Sequence, residues 1–295
     1  MHVPVLLQEV LKILDPRPGD FMIDGTVDGG GHATAILERI GPTGKFLGLD
    51  LDEMMLAECK TRIVSRKGVL LLAGNYADLP EILGREKLGK ANGLLLDLGF
   101  SSEQIERSGR GFSFNEASRN EPLLMTYDDL RAPVREMLKT VSEKELSDIL
   151  SRFGGERFAG RIARAIVERR RKKNGIATSG DLADTVRAAV PKGYERGRID
   201  PATRTFQALR IMANGELENL QRVLDSLEDI LAPGGRVAII SFHSLEDRIA
   251  KQSFRAMAKG SKLELLAKKP IVPSREEIAA NPRSRSAKLR AGKLK

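Results

Sequence analysis

Short continuous apolar runs alternate with amphipathic stretches through the first hundred residues, and that alternation predicts βαβ units feeding a mostly parallel sheet. FMIDGTV, from Phe21 to Val27, reads as a first strand and HATAILERI, from His32, as a helix. KFLGLD, ending at Asp50, reads as a second strand, and EMMLAECKTRIVSR as the next helix. VLLLAG and GLLLDLG supply two further strands ending near Gly74 and Gly99. Their unbroken hydrophobicity is what a strand needs when both of its faces are covered.

Beyond Gly99 the pattern changes. From about Gln104 to Asp200 no comparable strand occurs, whereas EKELSDILSRF and RFAGRIARAIVERRRKK have helical periodicity. Near Thr205 a long helical pattern begins, TFQALRIMANGELENLQRVLDSLEDIL, which ends at Pro233-Gly234-Gly235 before the strand RVAIISF. The organisation expected is an α/β core from 1–103, an inserted all-α domain from 104–200, and the rest of the core from 201–295. After about Gly260 periodicity is lost. The closing NPRSRSAKLRAGKLK reads either as a solvated tail or as a basic arm for a polyanion.

Charge sharpens this only in part. A formal net charge of +9 suits a nucleic-acid partner through counterion release, and it suits a diffuse solubilising surface equally well. The single cysteine, Cys59, excludes internal disulfides and any metal site built from several thiolates, and no metal is expected. No apolar run is long enough to cross a bilayer, and MHVPVLLQEVLKIL lacks the features of a secretory signal, so the expected compartment is the cytoplasm.

The segment Asp24-Gly25-Thr26-Val27-Asp28-Gly29-Gly30-Gly31-His32 joins the first strand to its helix. Its glycines let backbone turn sharply beside a ligand, but the dinucleotide spacing G-x-G-x-x-G is not met, since His32 and Ala33 stand where a helix-packing glycine would follow. Asp24 and Asp28 would repel a pyrophosphate, whereas a sulfonium and an ammonium tolerate carboxylates. Asp50 closes the second strand where an acid accepts hydrogen bonds from the ribose of an adenosine cofactor, and Asp97 closes GLLLDLG at the same edge.

Taken together, HVPVLLQEVL, DGTVDGGGH, DLGFSSEQ with RGFSF, DPATRTFQALRI, ISFHSLEDRI and NPRSRSAKLR resemble, in order along nearly the whole chain, the ribosomal RNA small subunit methyltransferase H family. The resemblance implies a class I methyltransferase core dependent on S-adenosyl-L-methionine, with an inserted helical domain. It implies N4-methylation of a cytidine in the decoding centre of 16S ribosomal RNA, with the small ribosomal subunit as partner. Carried across position by position, it implies cofactor contacts at Gly30, Gly31, His32, Asp50, Tyr76, Asp97 and Gln104. The chain departs from the family's pattern at Asp28, where a glycine is usual, at Leu124 and Thr126 in Pro122–Asp128, and at Gly215.

Methylating an exocyclic amine needs alignment with the methyl donor and a hydrogen-bond acceptor, and no covalent nucleophile. Methylation at ring carbon 5 would need a cysteine in the cleft, and Cys59 sits in the helix after Asp50. Asp97, Ser101 and Ser102 are therefore the candidate catalytic residues, with Phe100 as a stacking wall. His243 is a further candidate beyond the later strand, where Ser244 with Asp247 fits a capping box. RNA contacts are expected from Arg110, Arg204, Arg210, the run Arg169 to Lys173, and Arg283, Arg285 and Arg290 of the tail. Aromatic residues make up only 4%, so phosphate contacts should dominate over stacking. Three alternatives remain open: a non-catalytic RNA-binding assembly factor, an amino-methyltransferase of another nucleic acid and, disfavoured by the loop acids, a nicotinamide dehydrogenase.

Overall fold

The computed structural model describes residues 4–63, 67–98, 108–172, 175–194 and 199–295. The strands, in chain order, are β1 (Phe21–Asp24), β2 (Lys45–Asp50), β3 (Val69–Ala73), β4 (Ala91–Asp97), β5 (Leu231–Ser241), β6 (Leu263–Leu265) and β7 (Lys288–Leu294). The helices are α1 (Leu7–Leu14), α2 (Gly31–Ile40), α3 (Glu53–Arg62), α4 (Leu79–Arg85), α5 (Val134–Thr140), α6 (Glu143–Gly154) and α7 (Ala159–Arg170). They continue with α8 (Ser179–Ala189), α9 (Thr203–Asn214), α10 (Glu216–Asp225), α11 (Leu227–Ile230), α12 (Ser244–Lys259) and α13 (Arg275–Ala280). The chain divides into two compact units, Met1–Ser101 with Leu217–Lys295, and Ser102–Glu216.

In the first unit the strands form a seven-stranded sheet in the order β3-β2-β1-β4-β5-β7-β6. The five strands from β3 to β5 run parallel, and β7 is antiparallel to both its neighbours. Alternation along each strand feeds two cores. Ile23, Leu94, Leu96, Val237 and Ile239 face a cluster covered by α4, α10 and α12. Met22, Leu95, Ala238 and Ile240 face the other, covered by α1, α2 and α3. Helices on both faces explain why these strands are apolar at consecutive positions. This is the α/β architecture that the spacing of apolar runs predicts.

Three boundaries differ from the sequence reading. β1 ends at Asp24 instead of Val27, because from Gly25 onward the backbone hydrogen bonds go to Leu95 and Leu49 in a turn across the strand ends. The Pro-Gly-Gly turn lies inside β5: Ala91 faces Leu231 and Gly93 faces Arg236, so residues 232–235 bulge from the ladder. The long helical pattern from Thr205 is broken at Gly215, whose φ of 61° caps α9 in the left-handed conformation that glycine adopts at least cost.

The basic terminus is neither a solvated tail nor an arm. It forms a short 3-10 turn, Pro282–Ser286, and then β7, which pairs with β5 from Arg236↔Lys293 to Ser241↔Lys288 and with β6 at Leu263↔Leu294. Leu289 and Ala291 are buried and alternate with Lys288 and Arg290, a period of two masked by the density of charge, while Leu294 faces the other core.

The second unit is helical and has its own core. Leu146, Leu150, Ile162, Ile166, Leu182 and Val186 pack with Phe206 and Leu209 of α9. The sequence reading ended the insertion at 200, and the compact unit runs on to Glu216, because α9 buries its apolar face here. Capping boxes start two of its helices: Ser142 with Glu145 for α6, and Thr178 with Asp181 for α8.

Candidate active site

Three acids close three adjacent parallel strands: Asp24 ends β1, Asp50 ends β2 and Asp97 ends β4. The carboxyl edge of such a sheet is where ligands lie. The glycine-rich segment crosses that edge and spends the amides of residues 25–28 and 30 on the protein itself. Gly25 N–H donates to Leu95 O (2.9 Å), Val27 N–H to Leu49 O (2.8 Å) and Gly30 N–H to Val27 O (2.9 Å). Thr26 N–H donates to Asp24 Oδ1 (3.1 Å) and Asp28 N–H to Asp50 Oδ2 (2.9 Å). Thr26 Oγ1 in turn accepts from Asp97 N–H at 2.7 Å, stitching the loop after β1 to the end of β4. These five amides are not offered to a pyrophosphate.

Two residues of the loop are left-handed, Gly30 at φ 84° and Asp28 at φ 44°. A Cβ on Gly30 would lie 3.1 Å from Cys59 Sγ, so this glycine answers to a positive φ and a close neighbour at once. Asp28 tolerates the same region as aspartate can, at some cost.

Burial sets the charge state of the edge. Asp24 is 1% exposed, and desolvation pushes its carboxyl up to about 6 against the pull of His32 and the Thr26 amide. Desolvation likewise pushes Asp50 up to about 7, although its oxygens accept the amides of Asp52 and Asp28. The Cys59 thiol is pushed up to about 12, first by burial and then by Asp24, Asp50 and Asp28, so it is no nucleophile near neutral pH. His32 is buried, and neither ring nitrogen is hydrogen-bonded among the described residues; its Nε2 lies 3.5 Å from Asp97 Oδ2.

The structure therefore brings Gly30, Gly31, His32, Asp50 and Asp97 to one edge. Tyr76 opens the 3-10 turn that follows β3, held by Asn75, whose side chain accepts from Ala77 N–H at 2.9 Å. Phe100, Ser101, Ser102 and Gln104 lie outside the described residues. His243 follows β5, where Ile240 pairs with Asp97, but the capping box falls one residue earlier than Ser244 with Asp247. His243 Nδ1 accepts from Glu246 N–H (3.5 Å), and Glu246 accepts from the amides of Phe242 (2.8 Å) and His243 (3.3 Å). The imidazole thus starts α12 through Nδ1, while Nε2, 2.9 Å from Glu246 Oε1, is buried without a hydrogen bond among the described residues. Asp247 is drawn instead to β7. Sequence reasoning missed Thr26 and Glu246: a turn threonine carries no distinguishing signal, and Glu246 is one position off the expected spacing.

Most of the arginines nominated for RNA are committed elsewhere. In the second unit Arg110 donates to Thr126 O (2.6 Å), Thr126 Oγ1 (2.8 Å), Asp128 O (2.7 Å) and Asp129 Oδ1 (2.8 Å), pinning the loop that contains the Thr126 departure. Arg210 makes a two-pronged pair with Glu216 at 2.9 and 3.0 Å. Arg204 is half-buried, with Nη1 3.4 Å from Gly155 O. Of the run from 169, Arg169 donates to Gly175 O and Arg170 to Leu138 O and Val141 O, closing helix ends. Arg171 and Lys172 stay exposed, and Lys173 lies outside the described residues. In the first unit Arg290 Nε donates to Asp247 Oδ1 at 2.6 Å. Arg283 and Arg285 are exposed.

A family model described as the MraW methylase family matches residues 1–295. A ribosomal RNA small subunit methyltransferase H from Syntrophus aciditrophicus (strain SB) is 45% identical over 307 residues, spanning 98% of this chain and 96% of the relative. One from Syntrophobacter fumaroxidans is 43% identical over 308 residues, spanning 98% and 95%. Among solved structures, a putative rRNA-methylase from Clostridium thermocellum aligns over the whole of both chains at 10% identity with a TM-score of 0.45, too distant to argue from.

Proposed function

The chain belongs to the MraW methylase family, and on that premise we propose that it methylates the N4 amino group of a cytidine in the decoding centre of 16S ribosomal RNA. Membership carries the coarser statement, an S-adenosylmethionine-dependent methyltransferase acting on small-subunit ribosomal RNA. The atom, the position, the residues and work on the cytoplasmic small subunit are the proposal.

The observation that carries it is the row of acids, Asp24, Asp50 and Asp97, beside a loop in which the amides of residues 25–28 and 30 are already bonded within the protein. Such a site repels a pyrophosphate and matches a cationic donor, which disfavours a nicotinamide cofactor. Asp50 would hold the ribose hydroxyls, since each of its oxygens accepts one amide and keeps a further acceptor direction. Tyr76 would lie beside the adenine, and the Gly30–His32 turn with Asp97 would hold the amino-acid end. Bound there, S-adenosylmethionine supplies an electrophilic methyl on a sulfonium.

The protein's part is alignment and hydrogen-bond acceptance. Asp97 would take a hydrogen bond from the exocyclic amine, leaving the nitrogen lone pair to the methyl group. His32 backs this carboxylate, and Thr26 fixes the strand end that presents it. Ser101 and Ser102, outside the described residues, would be further acceptors. No covalent step is needed, in keeping with the protonated Cys59. His243 acts by seating α12 at the same edge.

The test is transfer of a labelled methyl group to small ribosomal subunits lacking the modification, followed by nucleoside analysis. N4-methylcytidine, abolished by Asp97→Ala, is the expected result. Subunit and cofactor binding without transfer would bring forward the assembly-factor reading, with the left-handed Asp28 as the first suspect.

A further inference from the structure

The arginines expected to grip RNA are mostly spent inside the protein, and this leaves the question of which cations are free. Within the first unit several of them lie together on one helix. Along α12, Arg248, Arg255 and Lys259 recur at spacings of seven and four residues and share one face, with Lys251 a turn beyond Arg248. Ala250 and Phe254 occupy the opposite face and are buried in the core beneath the sheet. After β6 come Lys268 and Lys269, both exposed, of which Lys268 lies near the helix. None of these six cations has an ion-pair partner among the described residues.

Part of this row borders a cleft. Lys251, Arg255, Lys268 and Arg290 line it, with Phe254 and Leu265 as its apolar floor. Arg290 uses Nε on Asp247, so its terminal amino groups remain as donors. Asp247, the partner of the lining residue Arg290, is answered twice, by Arg290 and by Lys288 at 3.4 Å. Glu264 alternates with Leu263 and Leu265 along β6 and so projects to the other face. From Arg248 to Lys259 the helix carries no acid, and it runs about 16 Å at the rise of an α-helix. Its first turn is anchored by His243 at the edge where β5 pairs with Asp97.

We infer that this cleft and the cationic face of α12 form a phosphate-binding strip that takes the backbone of RNA leading to the active edge. The inference rests on the proposed action on RNA and, Arg290 apart, assigns the contact to residues other than those nominated from the sequence. Unpaired cations in a row with a rigid helix beneath them suit a polyanion whose charges repeat along a line. Their affinity comes from counterion release and is read as a salt dependence.

The experiment compares full-length protein with the triple variant Lys251→Gln, Arg255→Gln, Lys268→Gln, and with a control of equal charge change on the other side of the sheet, Arg39→Gln, Lys60→Gln, Lys67→Gln. Binding of a labelled RNA stem-loop is measured against salt, and thermal melting checks that each variant folds. The triple variant is expected to bind at least about tenfold more weakly at low salt, with the slope of log affinity against log salt reduced by about two, while the control keeps most of the slope. Equal slopes in the two variants would overturn the inference. So would loss of subunit binding by the triple variant with its stem-loop binding intact, since the cleft would then take a ribosomal protein. Methyl transfer by the wild type separates the two readings. Transfer with an unaltered slope in the triple variant sinks the strip and leaves the function standing; a reduced slope without wild-type transfer does the reverse.

Discussion

Asp24 and Asp50 hold protons into the neutral range because burial penalises their charged forms, at about 6 and about 7 against the usual 3.8. In the unliganded protein the folded state keeps these protons where the unfolded chain has released them. Their contribution to stability is therefore fully present below 3.8 and lost as pH rises through about 6 and about 7. A cationic donor favours the ionised carboxylates. Binding of S-adenosylmethionine should then release protons between these values and tighten as pH rises through them, which calorimetry in buffers of different ionisation enthalpy measures directly; proton uptake would refute it. At Asp28 the left-handed φ of 44° predicts a second contrast. Asp28→Gly should leave the melting temperature nearly unchanged, whereas Asp28→Val, β-branched at a positive φ, should cost about 2 kcal/mol by denaturant unfolding. Asp50 and Asp97 were legible as acids at strand ends. Thr26 was not, because its double role depends on where β4 lies.

Capping and pairing decide what several polar side chains do within their elements. His243 starts α12 with Glu246, which is 3% exposed. His243→Asn keeps a cap acceptor and should preserve both stability and methyl transfer, whereas His243→Leu should cost about 1–2 kcal/mol. A stable His243→Asn protein that lost turnover together with one limb of its pH profile would instead make the imidazole a proton carrier. Arg210 and Glu216 form a pair whose side chains are 20% and 12% exposed. Arg210→Ala should destabilise the helical unit by about 1–3 kcal/mol, since it leaves a half-buried carboxylate with the Tyr127 hydroxyl in place of its cation. It should leave the salt slope of RNA binding as it was, and a fall in that slope would restore the RNA reading of Arg210. From sequence, an arginine on a helix is equally a phosphate ligand and a strut. The choice belongs to Glu216, six residues on, and becomes visible only once Gly215 has turned the chain.

Across the whole molecule the largest revision concerns the basic end. An arm would be dispensable for folding, but β7 lies between β5 and β6, and Leu289 is completely buried. Each such side chain contributes about 1.5–3 kcal/mol when fully buried, so deletion of residues 283–295 removes several at once and exposes the edge of β5. The truncated chain is expected to lose cooperative melting. A folded, soluble truncation with only RNA binding weakened would return the segment to the role of an arm. The two compact units differ likewise in how well their extents could be read: the sheet unit follows from its strands, while the helical unit gains α9, whose apolar face fits either core by pattern alone.

The sequence by itself determined the elements whose signal is local. The buried parallel strands, the glycine loop, the acids at strand ends and the break between sheet and insertion all follow from the period of apolar positions and from backbone chemistry. The resemblance, matched along residues 1–295, added the family. Tertiary structure alone decided which charges are free and which are structural, because pairing joins residues far apart in the chain, as Arg290 meets Asp247 and Thr26 meets Asp97. It also decided that a lysine- and arginine-rich end is a central strand. Alternate positions there face a core supplied by β5 and β6, and no window of the chain around residue 290 contains those partners.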